Sequence, residues 1–205
     1  MSIVTLNDRG VRSVSAFGSL NTGSMVFIKK LTASSSATLS FVDGASSVVL
    51  DNTYKEYLFT FKDVHPATDG AKLTFQGNVS GGSGFNETMT TTNFRAIHAE
   101  ADNDVELNYV AGDDQAQGTA FQNISQSIGN DNDQAGSGYL HLFNPSSTTF
   151  VKHFILSVSV NANDNANKVC HATGYFNTTS AIDEIQFKMS SGNIDAGDIC
   201  LYGIL

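Results

Sequence analysis

The sequence predicts an all-β protein: a single jelly-roll-like antiparallel β-sandwich preceded by an extended N-terminal arm. Short segments in which apolar and polar residues alternate recur along the chain, as in strands with one face in a core. Turns rich in Ser, Thr, Asn and Gly separate these segments at the spacing of about 8 to 12 residues that is typical of sandwiches. With 205 residues, 40% of them hydrophobic, the chain is long enough for one domain with a sizeable core.

The first 24 residues are predicted to form an arm, and residues 25–205 the domain. The apolar residues of the arm follow no regular period, so we expect it to be ordered only by lying on the domain or on a neighbouring subunit. It is also the one locally basic segment. The candidate residues for docking to an acidic partner surface are Arg9, Arg12, Val14 and Phe17.

About ten to twelve strands are expected in the domain. The candidate segments, of which about ten to twelve are expected to form strands, are in order 25–31, 37–42, 47–50, 56–62, 71–76, 88–98, 105–110, 121–128, 139–143, 150–160, 168–176, 184–190 and 199–204. The first two are predicted to pair as a hairpin, as are the last two. The last strand, almost unbroken in apolar residues, is expected to be buried on both sides up to Leu205.

Some segments leave alternatives open. Residues 121–128 have apolar residues at helical spacing, and a short strand is favoured over a short helix. The irregular region 99–138 is expected to form long crossover loops, where binding residues are often found. Cys170 and Cys200 fall within predicted strands and are interpreted as buried core residues, with a disulfide between them left open.

Two kinds of partner are disfavoured: nucleic acid by the charge of the chain, and the membrane by the lack of a long apolar run. The formal net charge of −9 and the absence of a basic patch argue against nucleic acid. No run approaches the ~18 apolar residues of a membrane span, and residues 1–12 lack the apolar core of a signal peptide. The protein is therefore expected to be made in a cytoplasm and to present a Ser-, Thr- and Asn-covered surface to proteins or sugars.

No catalytic or metal-binding motif appears. The five histidines are scattered, with no HExxH, no GxSxG and no phosphate-binding glycine loop, so we predict no enzyme activity, no cofactor and no metal. His141 and His153 are possible cross-strand neighbours but an incomplete metal site. The pairs Asp113–Asp114 and Asp102/Asp104 are interpreted as solvated loop carboxylates.

Calcium is the alternative that the loops leave open. Three clusters of Asp and Asn supply the oxygen ligands that Ca²⁺ prefers, at residues 102–104, 131–133 and 163–165. None completes the ligand pattern of a known calcium loop. Asx-rich turns form through side-chain to backbone hydrogen bonds without any metal, and this interpretation is favoured.

Several strings resemble a known group of proteins. They are DNTYKEY at 51–57, HPAT at 65–68, LHLFNPSSTT at 140–149 and GYFNTTSAIDEIQFKM at 174–189, with SSGNIDAGDI and LYGI after it. Together they resemble virion-associated structural proteins of tailed phages of marine bacteria, including cyanobacteria, over residues 25–204. The resemblance implies a non-enzymatic component of a phage particle, present in many copies, and carries no catalytic residues.

The expected function follows from both lines. The leading hypothesis is a surface-exposed virion protein, made in the host cytoplasm, that decorates or cements the capsid. We expect it to bind other virion proteins through residues 1–24 and to form a homo-oligomer, perhaps a trimer. The alternative is a tail-associated receptor-binding module that recognises a host glycan through the loops of residues 99–138.

Overall fold

The computed structural model describes residues 24–205, and within them the chain forms twelve strands and no helix. The strands are β1 Met25–Thr32, β2 Leu39–Val42, β3 Glu56–Pro66, β4 Leu73–Val79, β5 Met89–Ala99, β6 Val105–Tyr109, β7 Gln122–Asn123, β8 Gly136–Phe143, β9 Lys152–Asn161, β10 Ala166–Phe176, β11 Ile182–Met189 and β12 Ile194–Ile204. The predicted all-β fold is confirmed. Over the same residues no helix is long and apolar enough to cross a membrane.

The strands form two antiparallel sheets packed as a sandwich. The large sheet has eight strands in the order β1-β12-β3-β8-β9-β10-β5-β6, and the small sheet has four in the order β2-β11-β4-β7. In several strands, buried residues alternate with more exposed ones and place one face in the core, as in β9, where Phe154, Leu156, Val158 and Val160 are buried. The alternation of apolar and polar residues that predicts strands with one face in the core is confirmed in β3, β9 and β11.

Phenylalanine rings join the two sheets. Phe187 of β11 packs edge-on against Phe59 and Phe61 of β3, with ring centroids 5.4 and 5.3 Å apart. Phe75 of β4 packs in the same way against Phe154 of β9 at 5.0 Å. Edge-to-face pairs contribute about 0.5–1.5 kcal/mol each beyond the area that they bury. This cluster is therefore the main contact that holds the sheets face to face.

The two predicted hairpins at the ends of the domain are wrong. The strand at residues 25–31 pairs with β12, and the strand at 37–42 pairs with β11, so each expected hairpin is divided between the sheets. The four strands instead form two antiparallel pairs joined at a corner, where Ser36 bridges Ile194. Strands that turn from one sheet to the other do so through bulges.

A glycine makes this corner possible. Gly197 has a φ of 114° and lies in the register shift between Ala196 and Asp198 of β12, where a Cβ would lie 2.6 Å from the Asp63 carbonyl oxygen. Glycine tolerates this positive φ, and it has no Cβ to collide with the Asp63 carbonyl oxygen. Residues 192–197 therefore do not form the tight turn that the predicted last hairpin would need, since β11 and β12 belong to different sheets.

Three smaller expectations need correction or refinement. Residues 47–50 form no strand, although Val48 and Leu50 are buried. The last strand is buried on one face only, and Leu205 is 72% exposed. The preference for a short strand within 121–128 is confirmed, but only as the two residues of β7.

Candidate functional site

The exposed apolar residues of the molecule collect on one surface. Eight of the ten large hydrophobic side chains that are exposed within residues 24–205 belong to strands of the large sheet, and none belongs to the small sheet. The eight are Met25, Phe27, Phe94, Val105, Leu107, Tyr109, Tyr139 and Ile155. All point away from the core, so the outer face of the large sheet is the candidate binding surface. We call it the outer face.

The register lines up rings in a row across the outer face. Tyr109 lies beside Phe94, Phe94 beside His171, and Ser157 separates His171 from Tyr139. The Phe94 and His171 rings have centroids 4.9 Å apart. Side chains opposite each other on neighbouring strands are about 4.5–5.5 Å apart at Cβ, so this row forms one continuous strip. Neither the composition nor the spacing of the residues reveals the strip, because it depends on the order of the strands in the sheet.

A groove of about 520 Å³ lies on the outer face over β5, β9 and β10. Its lining includes four threonines together with Phe143, His153 and Tyr175, and the His153 and Tyr175 rings have centroids 5.7 Å apart. A neighbouring space of about 530 Å³ shares Phe143 and His153 and extends to Phe150. Apolar rings with a few hydroxyl and imidazole groups are suited to a protein or sugar surface.

The groove rests on a tightly packed strand. At Gly174 of β10 a Cβ would lie 2.7 Å from the Thr90 carbonyl oxygen and 2.8 Å from Cζ of Phe154. The strands there approach closely because this position carries no side chain. The groove is thus supported from below by the aromatic core.

A polar cleft of about 820 Å³ lies at the end of the large sheet, next to the loops after β5 and before β8. Asp63, Glu100, Asp102 and Asp133 contribute carboxylates to it, and His98 Nε2 lies 3.1 Å from Asp102 Oδ1. Ser and Asn side chains of β8, β9 and β10 complete the lining. The cleft includes parts of the region 99–138, which was predicted to carry binding residues.

The acidic groups do not assemble into a metal centre. Among residues 24–205, no three His, Cys, Asp or Glu side chains come close enough together to hold a metal ion. His98 and Asp102 are 65% and 87% exposed at their side chains, so they are fully hydrated. Exposed carboxylates of this kind interact weakly with one another.

The histidines each have a different environment. His65 Nδ1 lies 2.7 Å from the Gln134 carbonyl oxygen, and His141 Nε2 lies 3.1 Å from Glu56 Oε2 without hydrogen-bond alignment. His141 pairs with Ile155 across the strands, so His153 is displaced from it by two positions. Within residues 24–205 the contacts of these imidazoles are with a backbone carbonyl, carboxylates and aromatic rings.

One predicted solvated carboxylate is buried. Asp113 is 5% exposed and accepts hydrogen bonds from Lys72 Nζ at 2.6 and 2.8 Å. Asn123 and Gln126 also donate to its carboxylate, and Gln122 donates to its carbonyl oxygen at 2.7 Å. The interpretation of Asp113 as a surface residue is therefore wrong. The partners come from distant parts of the chain, so no local pattern indicates this network.

The network anchors the irregular middle segment beside the small sheet. Gln76 of β4 is fully buried, and its amide donates to the carbonyl oxygens of Glu87, Thr119 and Ala120. The Asp113 carboxylate accepts four hydrogen bonds from groups of its own chain, so its burial is compensated. The middle segment thus covers the outer side of β4 in the small sheet.

Both cysteines are free. Cys170 is buried beside Asn93, and burial raises the pKa of its thiol to about 11. A thiol with such a pKa is protonated at neutral pH and a poor nucleophile. Cys200 is half-buried on the outer face, in the same row as Tyr139. The interpretation as a core residue holds for Cys170 and not for Cys200.

The docking residues that the sequence predicts belong to the N-terminal arm. Arg9, Arg12, Val14 and Phe17 lie outside the described residues. No family model, curated protein or solved structure matches the chain. The candidate site therefore rests on the geometry of the outer face and of the polar cleft.

Proposed function

We propose that the protein is a non-enzymatic structural protein of a bacteriophage particle, which binds other proteins of the particle and most closely fits a capsid decoration protein. The observation that carries the proposal is the concentration of exposed apolar side chains on the outer face, with none on the small sheet. Contiguous apolar surface of this kind is typical of protein interfaces. The resemblance of the strings between residues 51 and 204 to phage virion proteins supplies the kind of partner.

The chemistry of the outer face fits a protein partner. Aromatic residues are enriched in interface cores and carry much of the binding energy, whereas charged residues are depleted there. The row from Tyr109 to Tyr139 contains three aromatic rings, one imidazole and no carboxylate. The residues of the arm contribute a second contact in this proposal, through Arg9 and Arg12, to an acidic surface.

Immunogold electron microscopy tests the proposal. An antibody against the purified protein would be applied to particles produced from the genome that encodes the chain. Gold on the heads is the expected result. Gold restricted to the tails would replace capsid decoration with a tail function, and unlabelled particles would contradict a virion role altogether.

The polar cleft favours a second candidate function. Carboxylate, amide, hydroxyl and imidazole groups meet there, and these are the groups that hydrogen-bond sugar hydroxyls. A tail-associated module that recognises a host glycan would use this cleft. Binding of the full chain to an array of bacterial surface glycans tests this candidate, and Asp133→Ala in the cleft is expected to remove the signal while Asp104→Ala outside it does not.

A further inference from the structure

The edge strand β6 exposes a row of apolar side chains. Val105, Leu107 and Tyr109 are 72%, 75% and 55% exposed, and they alternate with Glu106 and Asn108. Edge strands with exposed apolar residues are prone to pair with a further strand, so natural proteins usually protect them. We call this strand the open edge.

The other edges of the two sheets are protected. Strand β1 carries Lys29 and Lys30 and a register shift between Phe27 and Lys29. In the small sheet, β2 has four residues and β7 has two. Lysines, bulges and short length are the usual devices against edge pairing. The one charge within the open edge, Glu106, is paired to Arg95 of its own chain at 3.2 Å.

The backbone of the open edge presents its hydrogen-bonding groups outward at the same three residues. Ala99 N–H donates to the Asp104 carbonyl, and Val110 N–H donates to that of Asn93, at 2.9 Å in both cases. Both pairs are in register with the β5–β6 ladder. In an antiparallel ladder the bonded pairs alternate, so the even-numbered residues of β6 bond to β5. The N–H and C=O groups of Val105, Leu107 and Tyr109 therefore point away from the sheet.

The sequence of the open edge is complementary to itself. When two copies of VELNY run antiparallel about Leu107, Val105 of each copy lies opposite Tyr109 of the other. Glu106 then lies opposite Asn108, so no two carboxylates face each other. Aromatic residues opposite β-branched residues are favourable cross-strand pairs. A pairing shifted by two residues loses at least one of these contacts.

We propose that two copies of this chain associate through their β6 strands about a twofold axis at Leu107. The two large sheets become one continuous sheet, held by about six backbone hydrogen bonds at the three outward-pointing residues of each copy. The outer faces of both copies lie on the same side of this sheet. The proposed function concerns what binds to the outer face. The dimer goes beyond it, because a second copy of the chain pairs with the open edge.

Disulfide trapping tests the register. In a Cys200→Ser background, Leu107→Cys is expected to form a covalent dimer under mild oxidation, because residues opposite each other in a bonded pair have Cα atoms about 5.5 Å apart. Glu106→Cys is the matched control. In the proposed register Glu106 of one chain lies opposite Asn108 of the other, so the two introduced cysteines are two positions apart and are expected not to form a disulfide. Efficient trapping through Glu106→Cys, with none through Leu107→Cys, would overturn the proposed register.

The oligomeric state tests the interface itself. Analytical ultracentrifugation of the full chain is expected to show a dimer, which Leu107→Lys converts to monomer because two ammonium groups meet at the axis. Ile155→Lys on the outer face is expected to leave the dimer intact, so loss of particle binding and loss of dimerisation are separable. A wild-type monomer at all concentrations would overturn the proposal, as would a dimer that resists Leu107→Lys.

Hydrogen exchange separates pairing of the backbone from contact between side chains. The amides of Val105, Leu107 and Tyr109 are expected to be protected in wild-type protein and to exchange at least tenfold faster in Leu107→Lys. Equal, fast exchange of these three amides in both proteins would contradict strand pairing even if a dimer forms by another surface.

Discussion

The two sheets of the sandwich differ in what lies over their outer sides. In the small sheet, the outer side of β4 is covered by the middle segment, which is anchored there through Asp113, Lys72 and the fully buried Gln76. The large sheet has twice as many strands and leaves its apolar and aromatic side chains in solvent. A protein that buries polar groups on one side and exposes rings on the other uses the two sides differently. The outer face of the large sheet is the surface that we propose for binding.

The first prediction compares a ring between the sheets with a ring on the outer face. Phe187→Ala is expected to lower the free energy of unfolding by about 4 kcal/mol, since it removes a buried ring from the aromatic cluster. Phe94→Ala is expected to lower it by less than about 1 kcal/mol, because its ring is 44% exposed. Urea denaturation measures both. Equal losses would mean that the outer face contributes to the fold as the core does.

The second prediction concerns the cover of the small sheet. Asp113→Ala is expected to lower the free energy of unfolding by about 3 kcal/mol, because it leaves the Lys72 ammonium and the two amide donors Asn123 and Gln126 without their acceptor. The matched control is Asp104→Ala, whose carboxylate is exposed, with an expected change within about 0.5 kcal/mol. Similar values for the two variants would show that the middle segment is not anchored by this network.

The fold class and most strand positions follow from the sequence, and the pairing of strands does not. Local alternation identifies the inward Phe154, Phe187 and Tyr57, because each strand reports its own faces. The divided hairpins and the outer face depend on which distant strands become neighbours. Asp113 lies in a segment with the composition of a surface loop. Its burial becomes favourable only through the approach of Lys72, which is distant in the sequence. Gly197 looks like a turn residue, and its role in a corner depends on contact with Asp63.

The third prediction tests how firmly the core supports the groove. Gly174→Ala is expected to destabilise the protein by about 2 kcal/mol, since its Cβ would meet the Thr90 carbonyl oxygen and the Phe154 ring. Gly112→Ala is the control, because a Cβ there has open space and no positive φ. Thermal unfolding of both variants measures the difference. An unchanged melting temperature for Gly174→Ala would contradict the close approach of β10 to β5.

The smallest expected effect lies at the β1 edge of the large sheet and depends on pH. Thr32 Oγ1 donates to Asp198 at 2.6 Å and Lys30 Nζ lies 3.3 Å away, and these contacts lower the pKa of Asp198 below its ordinary value of 3.8. A carboxylate with a lowered pKa stabilises the folded state above the unfolded pKa, and this contribution is lost as the pH falls through the folded pKa.

We therefore expect Asp198→Asn to be slightly less stable than wild type near pH 6. The difference in melting temperature is expected to shrink as the pH falls below 3.8 and through the lowered pKa of Asp198. Once Asp198 is protonated, both proteins carry a neutral side chain at this position. Thermal unfolding of both proteins across this pH range checks the prediction. A difference that stays constant with pH would show that the charge of Asp198 does not fasten β1 to β12.

Co-sedimentation with the particles tests whether the protein binds them through its outer face. Particles assembled without the protein would be mixed with purified wild type, with the double variant Tyr139→Lys and Ile155→Lys, or with Gln186→Lys on the small sheet. Two charges on the outer face are expected to abolish binding at an unchanged melting temperature, while wild type and Gln186→Lys sediment with the particles. Undiminished binding of the double variant would contradict the account.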